Sequence, residues 1–270
     1  MRDADQDRRL ALVTGATGAI GKAIALEIAQ QPGYRVVLLC RDPHKADKAV
    51  SEIIERSGNQ RVSFEVVDVS SKESIDAVAQ RLPGPVHVLV NNAAITPRRR
   101  QETPGGIELQ FATNVLGYFW LIRALAEQLR AGSPARVVNV ASYWAGDLDI
   151  DDLEFKSRPY NNDTAYRQSK QANRMLTVAF ARRLGEHGVT VNACHPGDVN
   201  SRLSNNLGFG GHESPREGAR TPAWLATDEV GQLETGKYFE HMQMRRCRFG
   251  EDREKVEALY QACLGFEVQD

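Results

Sequence analysis

Leu10-Ala11-Leu12-Val13-Thr14-Gly15-Ala16-Thr17-Gly18-Ala19-Ile20-Gly21 decides how this chain folds. Four apolar residues in succession, without polar alternation, read as a strand buried on both faces. Gly15, Gly18 and Gly21 then mark a turn, and Ile20, Ala23, Ile24, Leu26 and Ile28 continue as a helix with a broad apolar face. Strand, glycine turn and helix open a doubly wound α/β sheet. Glycines let backbone approach a pyrophosphate, whose charge is met by free N–H groups at the helix N-terminus. A plain tight connection would read the same way, so the turn alone does not establish a nucleotide site.

The next apolar run, Arg35 to Cys40, is a second strand, and Arg41 follows it twenty residues after Gly21. An acid near that position would bind the ribose 2′-hydroxyl of NAD, whereas an arginine pairs with the 2′-phosphate of NADP. Asp42 precedes Pro43 and reads as a helix N-cap, which leaves Arg41 for the ribose. A third strand, Val62 to Val69, carries Asp68 near its end. Asp68 is either an acceptor for an adenine amino group or an ordinary turn residue before Ser71-Lys72-Glu73, and the pattern favours neither. Val86 to Val90 is a fourth strand running into Asn91-Asn92-Ala93-Ala94, where small residues admit a ligand close to backbone. A long helical pattern over 107–130 is apolar almost all round between Val115 and Ile122, beside Asn114, whose amide needs partners if buried. The fifth strand, Arg136 to Ala141, puts Ser142 at its carboxyl end, where ligands of such sheets bind. The sixth, Thr190 to His195, leads into Pro196-Gly197; His195 reads as a hydrogen-bonded structural residue. Gly236-Lys237-Tyr238-Phe239 closes the sheet, and a helix follows from Glu251 to about Leu264.

Thirty-four basic and thirty-five acidic residues among 270 leave a formal charge of -1, so no global field draws nucleic acid or an anionic membrane. Four scattered cysteines without Cys-x-x-Cys spacing argue against a zinc site or disulfide framework and fit a reducing compartment. Residues 1–9 are polar and expected to be flexible, and no run of about 20 apolar residues could span a membrane. A soluble, cytoplasmic protein is expected, one domain over 1–270. Residues 200–222, with Gly208-Phe209-Gly210-Gly211, have the flexibility of a substrate lid. Phe209, Trp224, Tyr143 and Trp144 are candidates for an apolar pocket.

Tyr166 and Lys170 lie four apart on a helical pattern, hence on one face. A free tyrosine has a pKa of about 10, and a nearby cation favours its phenolate and brings it towards a useful acid/base range. Surface stacking would give the same spacing. The order of motifs decides between them. Thr14-Gly15 with its glycine turn, Asp68-Val69, Asn91-Asn92-Ala93-Ala94, Asn114, Ser142, Tyr166-x-x-x-Lys170 and Pro196-Gly197 resemble the short-chain dehydrogenases/reductases over almost the whole chain.

That resemblance implies about seven parallel strands and hydride transfer between NAD(P) and a carbonyl or alcohol. Tyr166 would protonate the carbonyl oxygen and Ser142 would hydrogen-bond it. Lys170 would lower the Tyr166 pKa and hold the nicotinamide ribose, and Asn114 would anchor a water leading from Lys170 to solvent. Gly15, Thr17, Gly18, Ala19, Ile20, Gly21, Arg41, Asp68, Val69, Asn91 and Ala93 would line the dinucleotide site. Backbone at Pro196, Gly197 and Val199 would meet the carboxamide, with Ser201 where a threonine is usual. The long segment between Ser142 and Tyr166 and the Cys40-Arg41-Asp42 stretch resemble the retinol dehydrogenase and protochlorophyllide reductase branch, which mostly uses NADP(H). NADP(H) is therefore expected over NAD(H), with a moderately apolar small molecule as substrate. Gly18 stands one place early and Ala19 fills its usual position, as in sugar-nucleotide-modifying relatives, but the short C-terminal region argues against those. A silent nucleotide sensor would lack the four catalytic side chains. Family members commonly dimerise through the helices bearing Asn114 and Tyr166, which makes a homodimer the first expectation, although the long insert before Tyr166 could cover that surface and leave a monomer.

Overall fold

The computed structural model describes residues 9–82 and 84–267; the polar stretch 1–8 lies outside the described residues. Strand β1 (Arg9–Thr14) leads through the glycine turn into α1 (Ala19–Ala29), β2 (Tyr34–Cys40), α2 (Pro43–Ser57), β3 (Val62–Val66), α3 (Lys72–Arg81) and β4 (Val88–Asn91). The expected cap holds: Asp42 accepts hydrogen bonds from the N–H groups of His44 (3.0 Å) and Lys45 (3.1 Å), with Pro43 opening α2.

The helical pattern expected over 107–130 is broken into α4 (Leu109–Phe111), a π-turn (Ala112–Leu116), α5 (Gly117–Ala124) and α6 (Ala126–Ala131). Asn114 sits in the π-turn, a distortion that often marks functional sites. Then come β5 (Ala135–Val140), α7 (Asn162–Leu184), β6 (Val189–His195), α8 (Arg202–Asn206), α9 (Pro215–Thr227), α10 (Val230–Leu233), β7 (Tyr238–Glu240), β8 (Gln243–Arg245) and α11 (Arg253–Gly265).

The described strands form one sheet in the order β3-β2-β1-β4-β5-β6-β7-β8. Seven run parallel, as expected, and β8 adds an antiparallel edge through a hairpin at His241 and Met242, whose φ angles are 48° and 59°. Asn-Gly or Asp-Gly is the usual signature of such a turn, and its absence here kept the hairpin out of the sequence reading. Helices α1, α2 and α9 bury one face of the sheet around Ile24, Ile28 and Leu38. The other face lies under α3, α5, α7 and α11, around Phe119, Phe180 and Leu259. This two-sided cover is why the strands carry unbroken apolar runs.

Helix α11 lies across α5 and α7. The Tyr260 ring is 5.1 Å from that of Phe119 and 5.4 Å from that of Phe180, and Glu257 forms an ion pair with Arg183 at 2.7 Å. Of the expected lid, residues 202–213 form α8 and a returning loop. Residues 215–222 belong instead to α9, whose Ala219, Ala223 and Ala226 are buried against α1.

Candidate active site

The carboxyl ends of β1 and β4 meet where the strand order reverses, the usual ligand crevice of such sheets. Thr14 fastens them: its hydroxyl accepts the N–H groups of Asn92 (2.8 Å) and Ala93 (3.0 Å), and Asn92 Nδ2 donates to the Thr14 carbonyl at 2.9 Å. Gly15 adopts φ 64°, and a side chain there would press on Ala93 Cα at 2.9 Å; one at Gly21 would strike the Gly15 carbonyl oxygen at 2.4 Å. Gly18 is the N-cap of α1 with no side-chain cap, so the first-turn N–H groups of Ala19, Ile20 and Gly21 have no side-chain partner. The early glycine thus serves as the cap, while Gly15 and Gly21 close the turn. This cradle suits the pyrophosphate of a nicotinamide dinucleotide.

A cavity of about 250 Å³ opens beside the cradle, bounded by Ile20, Asn92, Ser142, Tyr166, Lys170 and Val199 among others. Asn161 caps α7, accepting the Asp163 and Thr164 N–H groups at 3.0 Å, and the helix presents Tyr166 and Lys170 to the end of β5. Ser142, at that end, accepts the Trp144 N–H at 3.1 Å and lines the cavity with Tyr166, close enough to lower the phenol's pKa. Lys170 Nζ donates to the Val140 carbonyl at 2.8 Å and lies 5.7 Å from the Tyr166 ring centroid.

Burial dominates the electrostatics. It pushes the Tyr166 phenol up to about 12, against the lowering effect of Ser142 and with Asp198 and Tyr143 adding to the rise. Burial also brings the Lys170 ammonium down to about 7. The expected lowering of Tyr166 by Lys170 is overridden because the phenol and the ammonium are both shut away from water.

Asn114 Oδ1 accepts the Ile95 N–H (2.9 Å), while its Nδ2 donates to the Ile95 carbonyl (3.0 Å) and Ser169 (3.3 Å). Its amide donors are thus spent on protein. Arg41 is exposed and makes no ion pair among the described residues, whereas Asp42 is occupied as a cap. Asp68 Oδ1 accepts both the N–H and the hydroxyl of Ser70, a turn role, and Val69 is buried beside Gly117. The Asn91 amide donates to Asn139 at 3.0 Å inside the sheet, and Asn92 lines the cavity. Thr17 lies in the glycine turn between β1 and α1. Pro196, Gly197, Val199 and Ser201 all line the cavity. Gly197 has φ 100°, and a Cβ there would overlap Glu213 Oε2 at 1.9 Å.

Tyr143, Trp144 and Phe209 line the cavity as expected, with the last two rings 5.0 Å apart. Trp224 does not; it packs on Phe239 at 5.8 Å in the core between α9 and the sheet. His195, expected to be a hydrogen-bonded structural residue, lines the cavity, and its Nδ1 has no partner among the described residues. Residues 9–209 match the short chain dehydrogenase family. The chain belongs to that family. It is 35% identical to human retinol dehydrogenase 13 over 254 residues, 87% of this chain and 76% of that one. A solved Mycobacterium paratuberculosis structure aligns with TM-score 0.80 and 28% identity, covering 95% of this chain and 92% of that one. The RhlG/NADP active-site complex of Pseudomonas aeruginosa aligns with TM-score 0.69 and 25% identity, over 86% and 94% of the two chains. This short-chain dehydrogenase is therefore an NAD(P)-dependent oxidoreductase of the retinol dehydrogenase-like branch.

The buried lysine carries a stability cost with a defined sign. Below pH 7 Lys170 is protonated in both folded and unfolded chains, and the fold bears the full desolvation penalty. Between about 7 and the ordinary 10.5 only the unfolded chain holds the proton, so stability rises with pH across that window. Lys170→Met removes the penalty, and the Val140 carbonyl keeps the Tyr118 hydroxyl at 3.4 Å. Urea unfolding should show the variant more stable at pH 6 by about 1 to 3 kcal/mol, with a flatter rise from pH 7 to 10.

Proposed function

We propose that this dehydrogenase interconverts a carbonyl and an alcohol on a moderately apolar small molecule, using NADP(H), with Tyr166 as general acid/base. The observation that carries this reading is the convergence of the Ser142 and Tyr166 hydroxyls at the cavity, with the Lys170 ammonium behind them. A phenol raised to about 12 is protonated at neutral pH and is poised to give its proton to a carbonyl oxygen, while Ser142 stabilises the same developing charge. Bound NADPH supplies the hydride. Lys170, brought near 7, exchanges a proton at neutral pH and can restore the Tyr166 phenol. Asn114, its amide spent, can hold a water only through its remaining acceptor capacity or its main-chain carbonyl.

NADP(H) is favoured by Arg41, whose guanidinium is free to take a 2′-phosphate in two parallel hydrogen bonds, and by the NADP complex of the Pseudomonas relative. Among the described residues no helix is long and apolar enough to cross a membrane. The four cysteines are free, which fits a reducing, cytoplasmic setting. The homodimer expected from the sequence needs the outer faces of α5 and α7; α11 covers them, and we propose a monomer instead.

Tyr166→Phe should reduce carbonyl-dependent NADPH oxidation on the order of 100-fold or more. Its fluorescence-titrated NADPH affinity should stay near wild type; a variant keeping a tenth of the rate would remove Tyr166 from the proton path. Arg41→Asp should invert the ratio of kcat/KM for NADPH over NADH, from roughly ten- to a hundredfold in favour of NADPH to a preference for NADH. Light scattering at micromolar concentration should return a mass near the 29.9 kDa of one chain, and twice that mass would restore the dimer.

A further inference from the structure

Resting on the reductase reading above, we infer that Asp198 selects the substrate, which carries a hydrogen-bond donor, a hydroxyl or a protonated amine, beside its carbonyl. Asp198 follows Pro196-Gly197 at the end of β6 and lines the same cavity as Ser142 and Tyr166. Its main chain is clamped by the lid: the Asp198 carbonyl accepts the N–H groups of His212 (2.8 Å) and Glu213 (3.0 Å). The Tyr143 and Tyr166 phenols both lie within electrostatic reach of its carboxylate. Its side chain stays 32% exposed, facing a cavity that water and ligands can enter.

Among the described residues neither lysine nor arginine forms an ion pair with Asp198, and His195 Nε2, 3.9 Å away, belongs to a ring that burial holds neutral at neutral pH. Arg174 is stacked on the Tyr238 ring at 3.3 Å, and Lys170 is committed to Val140. The other nearby acids, Glu213 against Gly197 and Glu240 bonded to the Tyr238 hydroxyl at 2.7 Å, add charge of the same sign. His195 lines the same wall at 7% exposure, with Nδ1 unpartnered. An anionic substrate group would be repelled by this wall, and an apolar one would strip water from the carboxylate without replacing it. A donor satisfies it, while Trp144 and Phe209 take the apolar body of the molecule.

The test is a set of four ketones sharing one apolar body, with a hydroxyl, an ammonium, a methyl or a carboxylate two carbons from the carbonyl, reduced with NADPH by wild type, Asp198→Ala and Asp198→Leu. For wild type, kcat/KM for at least one donor-bearing ketone should exceed that of the methyl ketone by about tenfold or more, with the carboxylate slowest. In both variants that ratio should fall to about one, and the carboxylate should gain on the methyl ketone. Each ratio is taken on one preparation, so poor folding lowers all four rates together without moving it. An advantage for the hydroxyl alone identifies an alcohol donor, and for the ammonium alone an amine. Four wild-type values within about threefold of each other overturn the inference while leaving the reductase reading intact. Ratios unchanged in the variants also overturn it. If none of the four is reduced, the reductase reading falls and takes the inference with it.

Discussion

Thr14 Oγ1, fully buried, accepts two backbone N–H groups from the loop after β4, and the architecture of the site hangs on that junction. It joins the two strands that diverge at the sheet's reversal point and sets how far apart the glycine turn and the Asn92 loop stand. Gly15 and Gly21 then bring backbone against backbone with no room for a side chain, so the crevice keeps its width. An alanine or valine in place of Thr14 would leave two partly buried N–H groups without their acceptor.

A second constraint is dryness. Tyr166, Lys170 and Ser142 are all nearly excluded from solvent, and the same burial raises a phenol and lowers an ammonium. The fold keeps a group that water would hold charged close to its neutral form. Stability is traded for a proton that moves near physiological pH, a pattern common at sites of chemistry.

Much of this was legible in the sequence because local rules governed it. The β1-turn-α1 stretch, the Asp42-Pro43 cap, and Ser142 with Tyr166 and Lys170 depend on neighbours in the chain or on family spacing, and the structure brings the last three to one cavity. The surroundings of Asn91, Trp224 and His195 were not legible because distant segments set them: the Asn91 amide turns to Asn139, Trp224 packs on Phe239, and His195 lies on the cavity wall. The fall of Lys170 to about 7 was likewise invisible, since helical spacing reports proximity and says nothing about solvent. Helix α11 was visible as a helix, but nothing local told which face it would cover.

That cover has a consequence for how the protein is made. Glu257 pairs with Arg183 from 74 residues further along, and Tyr260 closes the aromatic cluster over α7. During synthesis the helix bearing Tyr166 and Lys170 therefore leaves the ribosome with its outer apolar face bare, and it stays bare until α11 has been translated. The nascent chain passes through an interval in which the whole dinucleotide cradle can already be folded while the catalytic helix is still sticky, a window that holdase chaperones are suited to guard.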